Sequence, residues 1–183
     1  MKIILGLAGE IAGGKGTVAR HIEEKYKGVS YRFSTALRDV ARRMGLEENR
    51  ENLQKISTIF RENFNDDILS MVICRDVEKD AHQVIMIDGV RRMANIKYLK
   101  NLEGFKLVYI EASLDNRYQR ITKRKENSDD GQKTFAEFKA DNEREAESQI
   151  KDLKNYADFT VDNNGSFAEL YQQVDKIIIE MGK

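Results

Sequence analysis

The sequence predicts an α/β fold built on a mainly parallel sheet, and three observations support this prediction. Five short apolar runs have the length and the β-branched character of buried strands. Amphipathic helical patterns separate these runs, and such alternation is typical of parallel sheets. A glycine-rich segment follows the first run and opens the first helical pattern. The 183 residues are enough for one domain with its own hydrophobic core.

The predicted elements leave two segments that are longer than a simple strand-to-strand connection requires. The five predicted strands cover residues 2–7, 29–33, 84–87, 107–110 and 159–161. Residues 34–81 hold about three helical patterns, and residues 123–155 are highly charged. The charged segment is equally typical of a solvated helical hairpin. Near the C-terminus, Ser166 and Glu169 have the spacing of a capping box at the start of the last helix.

The composition argues against several classes of function. With 31 basic and 31 acidic residues the formal net charge is zero, so the sequence lacks the basic footprint of a general nucleic-acid binder. Cys74 is the only cysteine, which excludes an internal disulfide and fits a reducing compartment. No run approaches the roughly 20 apolar residues that a membrane-spanning helix needs. We therefore expect a cytoplasmic protein, monomeric or homodimeric, that acts without nucleic acid or membrane.

The segment from Gly9 to Thr17 has the spacing of a phosphate-binding loop. Four residues separate Gly9 from Gly14, and Lys15 follows directly, as in the pattern G-x-x-x-x-G-K. Glycines allow positive φ, so backbone N–H groups can surround phosphate oxygens at a helix N-terminus. The alternative is a glycine-rich turn without a ligand. The candidate nucleotide-binding residues of the loop are Gly9, Ala12, Gly13, Gly14, Lys15, Gly16 and Thr17.

Two side chains are candidates for holding Mg²⁺ beside this loop. Thr17 offers a hydroxyl to phosphate or metal, while Lys15 can reach the β and γ phosphates of a nucleotide. Asp88 ends the third predicted strand and is followed by Gly89. Because ligands collect beyond the carboxyl ends of parallel strands, we expect Asp88 to act there as a Walker-B carboxylate does. An aspartate in a β-turn is the alternative interpretation.

Several arginines could bind phosphate groups, because a planar guanidinium can bind two oxygens at once. Arg117, Arg120 and Arg124 are spaced to share one face of a helix. This stripe could neutralise a phosphoryl group during transfer, and a surface stripe paired with nearby acids is the alternative. The candidates for binding an acceptor are Arg38, Arg91 and Arg92.

These motifs together resemble the nucleoside monophosphate kinase superfamily over nearly the whole chain. The ending Gly14-Lys15-Gly16-Thr17, with Arg38, the Asp88-Gly89 strand end and the pair Arg120 and Arg124, is similar to adenylate kinase. The spacing before Arg38 is two residues shorter than in that family. The segment 157–166, A-D-F-T-V-D-N-N-G-S, is instead similar to dephospho-coenzyme A kinase.

The resemblance implies a three-layer P-loop kinase fold with a five-stranded parallel sheet in the order 2-3-1-4-5. It implies one domain over residues 1–183, with a helical acceptor-binding insertion at 34–81 and a lid at 120–153. Asn163 and Gly165 would lie near the adenine of ATP.

The expected activity is ATP-dependent phosphorylation of a nucleoside or deoxynucleoside monophosphate, with ATP and Mg²⁺ as cofactors. The residues expected to serve catalysis are Lys15, Asp88, Arg120 and Arg124. One alternative is a dephospho-coenzyme A kinase-like enzyme acting on an alcohol, with Asp88 or Asp39 as the base. The other is a non-catalytic nucleotide-binding adaptor or switch.

Overall fold

The computed structural model describes residues 2–123, 134–142 and 145–183. Its strands are β1 (Ile3–Ala8), β2 (Val29–Arg32), β3 (Val84–Asp88), β4 (Phe105–Glu111) and β5 (Phe159–Asp162). They form one all-parallel sheet in the order β2-β3-β1-β4-β5. The predicted fold class and strand order are confirmed.

Helices connect the strands and follow the last one. They are α1 (Lys15–Tyr26), α2 (Phe33–Arg43), α3 (Arg50–Asn63), α4 (Ile68–Lys79), α5 (Met93–Leu99), α6 (Leu114–Lys123), α7 (Phe135–Asn142), α8 (Glu145–Asp152) and α9 (Phe167–Met181). A 3₁₀ turn at Leu153–Tyr156 leads toward β5. The second strand was predicted one residue too long, because the extended chain ends at Arg32 and Phe33 begins α2.

Helices cover both faces of the sheet, which explains why the strands read as continuous apolar runs. All six residues of β1 are buried. Apolar side chains of α1 and α9 pack on one face, and those of α4, α5 and α8 pack on the other. Burial on both faces removes the apolar–polar alternation that a half-exposed strand would show. The capping box of α9 is confirmed, since the Ser166 hydroxyl accepts from the Glu169 amide and the Glu169 carboxylate accepts from the Ser166 amide.

The two long segments depart from the sheet in different ways. Helices α2 to α4 form the predicted helical insertion, and a small apolar cluster of their own holds α2 against α3. The charged segment contains α7 and α8. It is more than a solvated hairpin, because Phe138 is buried and Ile150 and Leu153 join the core beneath the sheet. In the described ranges, no helix combines the length and apolar character that spanning a membrane requires.

Candidate active site

The carboxyl edge of the sheet brings the predicted phosphate loop and Asp88 together. Asp88 at the end of β3 lies beside Leu7 of β1 on one side and beside Arg32 of β2 on the other. Gly9 follows two residues after Leu7. The loop therefore begins next to the Asp88 carboxylate, at the edge where ligands bind in open parallel sheets.

The loop owes its shape to residues in left-handed backbone conformations. Gly9 has φ 143°, Ala12 has φ 58° and Gly14 has φ 109°. A Cβ atom at Gly9 would lie 2.3 Å from the carbonyl oxygen of Ile110 in β4, so no other residue fits there. This conformation turns the chain from β1 directly into α1, as a phosphate-binding loop requires.

Asn163, which follows β5, supports the loop from below. Its side-chain amide is buried and donates to the Gly13 carbonyl at 2.8 Å, and its own backbone amide donates to Glu111 of β4. A Cβ atom at Gly14 would lie 2.0 Å from the Asn163 amide nitrogen. The Asn163 side chain thus binds the backbone of the loop, while Gly165 is exposed two residues further along.

The side chain of Lys15 lies folded over its own loop. Its ammonium donates to the Gly9 carbonyl at 2.5 Å and to the Glu10 carbonyl at 3.1 Å. Gly16 is exposed and Thr17 is half-buried in the first turn of α1. These contacts hold the positive charge at the loop, where the negative charge of a phosphate would be placed.

Glu10 and Arg117 form a buried ion pair that the sequence did not reveal. Their atoms Oε1 and Nη2 are 3.0 Å apart, and the side chains are 13% and 4% exposed. Arg117 also donates to the carbonyls of Ala112 and Ile11, and to the side-chain oxygen of Asn142 at 2.5 Å. Arg117 therefore joins the phosphate loop, α6 and α7. Its predicted place in a phosphate-facing stripe is wrong, because burial and these contacts occupy the guanidinium.

Arg120 lies one turn further along α6 and keeps part of its guanidinium unpaired. Its Nη2 donates to the Asn163 carbonyl at 2.7 Å, while its Nη1 is buried without a hydrogen-bond partner among the described residues. Burial lowers the pKa of Arg120. A buried, unpaired donor favours an anionic ligand at this position. Arg124 lies outside the described residues.

Asp88 presents an oxygen that could bind a metal or its water. Its Oδ2 lies 3.3 Å from Nε of Arg32, and its Oδ1 is buried without a hydrogen-bond partner in the described structure. Over residues 2–123, 134–142 and 145–183, no group of three or more His, Cys, Asp or Glu side chains could hold a metal ion. One carboxylate and the Thr17 hydroxyl fit Mg²⁺, since this ion usually keeps several waters and binds substrate phosphates.

The three predicted acceptor-binding arginines have contacts with Glu48 or with Asn95. Arg38 donates to the backbone carbonyl of Glu48 at 3.2 Å and lies 3.6 Å from its carboxylate. The backbone amides of Arg91 and Arg92 both donate to the Asn95 side chain, and both arginines are exposed. Arg32 was missed because its neighbour across the sheet is known only once the strand order and register are known.

The comparisons with known proteins agree with this geometry. A family model described as AAA domain matches residues 11–139, which is more than half of the chain. A UPF0200 protein of Pyrococcus furiosus is 30% identical over 182 residues, covering 96% of each chain. The chain belongs to the AAA-domain family and to the UPF0200 family. A UPF0200/UPF0201 protein of Archaeoglobus fulgidus is 31% identical over 188 residues, and this chain spans 57% of the length of that relative.

A solved structure of another protein has the same fold as this chain. Shikimate kinase from Bacteroides thetaiotaomicron superposes with a TM-score of 0.65 over 99% of each chain, at 13% sequence identity. Identity this low shows a common fold alone. The family match and the shared fold together support the predicted resemblance to P-loop kinases.

Proposed function

We propose that the protein transfers the γ-phosphoryl group of ATP to a nucleoside or deoxynucleoside monophosphate. The observation that carries this proposal is the loop from Gly9 to Thr17, which leaves β1 through left-handed positions and enters α1 with Lys15 folded across it. A loop of this shape offers backbone N–H groups and one ammonium to a polyphosphate.

In this proposal each side of the site has its own task. The loop and Lys15 hold the donor phosphates, and the adenine lies near Asn163 and Gly165. Thr17 and Asp88 would hold Mg²⁺, which would neutralise negative charge on the donor phosphates. Arg120 supplies its unpaired Nη1 to the transferred group, with Arg124 as its predicted partner.

The acceptor side of the proposal uses the helical insertion at 34–81, with Arg38, Arg91 and Arg92 as the predicted acceptor-binding residues. The segment 120–153 acts as a lid within one domain, 1–183. Closure of such a lid excludes water, which limits the loss of the phosphoryl group to hydrolysis.

The ion pairs of the two candidate bases favour a phosphate acceptor over an alcohol. An alcohol must lose a proton during transfer, whereas a phosphate oxygen is already an anion. Asp88 is paired with Arg32, and Asp39 is paired with Arg42 at 3.1 Å on the exposed side of α2. Each carboxylate already faces an arginine, whereas transfer to a phosphate oxygen needs no base at this site. The alcohol kinase stays the second candidate because a shikimate kinase shares the fold.

The test is the release of ADP from ATP and Mg²⁺ with a panel of acceptors. The panel contains AMP, CMP, UMP, GMP, the deoxy forms, dephospho-coenzyme A and shikimate. We expect ADP release to depend on one or more of the monophosphates. Lys15→Ala should lower kcat/KM by about a hundredfold or more, because it removes a charge that stabilises the transferred phosphoryl group. Lys176→Ala, on the exposed side of α9, is the matched control.

Other outcomes identify the rival functions. ADP release that depends only on dephospho-coenzyme A or shikimate would identify an alcohol kinase. Nucleotide binding without any response to acceptors would identify an adaptor or switch. If Lys15→Ala left turnover unchanged, the proposed site would be wrong.

A further inference from the structure

Arg32 and Asp88 form an ion pair at the carboxyl edge of the sheet. Arg32 is the last residue of β2, Asp88 is the last residue of β3, and the parallel register places them directly side by side. Nε of Arg32 lies 3.3 Å from Oδ2 of Asp88. On its other side, Asp88 neighbours Leu7, which leads into the phosphate loop. Arg32 is therefore separated from the loop strand by a single strand.

The guanidinium of Arg32 has donors to spare. Its side chain is 59% exposed, whereas that of Asp88 is 18% exposed. The terminal nitrogens Nη1 and Nη2 make no hydrogen bond with the described residues, so they can donate to a ligand. Because more than half of the Arg32 side chain is exposed, a ligand can reach its guanidinium from solvent.

Two of the three arginines of α2 are engaged elsewhere. Arg38 and Arg42 both contact Glu48 in the connection between α2 and α3. Arg42 also pairs with Asp39. Of the three arginines with these ion pairs, Arg32 is the one that pairs with a residue at the carboxyl edge of the sheet.

We propose that Arg32 is a specificity-determining residue that binds the anionic phosphate of the acceptor. This inference rests on the proposed transfer to a monophosphate and adds a residue outside the predicted acceptor-binding set. Two oxygens of the acceptor phosphate bind the planar fork of Arg32, and one of them takes the place of Asp88 Oδ2 beside Nε. The exchange releases Asp88 Oδ2 from its ion pair and places the acceptor phosphate one strand away from β1, which leads into the phosphate loop. No covalent bond changes in this step.

The exchange predicts that acceptor binding depends on Arg32 even when no reaction occurs. Equilibrium binding is measured by calorimetry with AMP, CMP, UMP and GMP in turn, at a saturating concentration of a non-hydrolysable ATP analogue with Mg²⁺. The variants are Arg32→Met and Arg32→Lys. The control is Arg75→Met, which removes an exposed arginine of α4. The KM of the acceptor is compared with its kcat wherever turnover is found.

Arg32→Met should lower the affinity for the tightest-binding monophosphate by about tenfold or more, as expected for loss of a hydrogen-bonded charge. Arg32→Lys should restore part of the affinity, and Arg75→Met should change it by less than about twofold. Where turnover is found, Arg32→Met should raise the KM of the acceptor more than the KM of ATP. Affinity of Arg32→Met equal to that of the control overturns the inference, and so does an absence of binding by the unaltered protein. Arg32-dependent binding without turnover would support the inference while contradicting the proposed reaction.

Discussion

Replacing Arg117 by methionine should destabilise the protein more than any exposed charge deletion. Methionine keeps much of the length of the arginine side chain but none of its donors. The substitution leaves the carboxylate of Glu10 and the side-chain oxygen of Asn142 without the donors that now lie 3.0 and 2.5 Å away. Water cannot easily replace them, because Arg117 and Asn142 are 4% and 3% exposed.

The magnitude follows from the burial of the pair. Removing one partner of a buried, hydrogen-bonded ion pair costs about 3–5 kcal/mol. Lys151 lies 3.8 Å from the Glu10 carboxylate and continues to attract it, which favours the lower end of this range. A loss of about 3 kcal/mol is still a large part of the usual 5–15 kcal/mol of domain stability.

Urea unfolding followed by circular dichroism measures this loss, with the free energy of unfolding taken from linear extrapolation. The double variant Glu10→Gln with Arg117→Met removes both charges, so it should lose less than the sum of the single variants by about 1 kcal/mol or more. Lys106→Met is the control, since it breaks an exposed ion pair with Asp158 and should cost less than about 1 kcal/mol. If Arg117→Met cost no more than this control, or if the single losses were additive, the buried network would not stabilise the loop as described.

The phosphate loop and the Tyr31–Asp80 hydrogen bond provide two further tests of stability. Gly14→Ala should lower the free energy of unfolding by more than about 1 kcal/mol because Gly14 has a positive φ. Adding Asn163→Ala to the Gly14→Ala variant should recover part of that loss, because it removes the amide nitrogen that would lie 2.0 Å from the new Cβ atom. Gly16→Ala, which meets no atom within 4 Å, should instead raise the free energy of unfolding by about 0.5–1 kcal/mol in the same urea titration. The pKa of Asp80 is lowered from 3.8 to about 2, mainly by the hydrogen bond from the Tyr31 hydroxyl. The pKa of Tyr31 is raised from 10 to about 12, first by burial and then by its hydrogen bond to Asp80. The advantage of the unaltered protein over Tyr31→Phe should therefore shrink as pH falls from about 4 to 2 and as it rises from about 10 to 12, and a pH-independent difference would contradict this.

Local patterns in the sequence were sufficient to predict the α/β fold class. The run from Ile3 to Ala8 is apolar throughout because both faces of β1 are covered, and this pattern needs no knowledge of the neighbouring strands. The phosphate loop is equally local, since its spacing and its place between a strand and a helix lie within nine consecutive residues. Strand order followed from the resemblance to a family, and the sheet confirms it.

The contacts that distinguish this site are not local, and the sequence could not predict them. Helical periodicity placed Arg117 on a face with Arg120, but its burial depends on Glu10 and Asn142, which lie 107 and 25 residues away. Arg32 and Asp88 are adjacent only because β2 pairs with β3 in one register. Glu10 in the loop and Arg32 at the end of an apolar run are visible in the sequence, but their partners follow only from the packing.

In the proposed reaction, the γ-phosphoryl group of ATP passes directly to a nucleoside monophosphate. Phosphorus-31 NMR of the protein with ATP, Mg²⁺ and the tightest-binding monophosphate follows every phosphorus atom during turnover. Direct transfer should make the γ signal of ATP decline while the two signals of a new nucleoside diphosphate appear, and both changes should require the acceptor. Formation of inorganic phosphate at the same rate with and without the acceptor would contradict it.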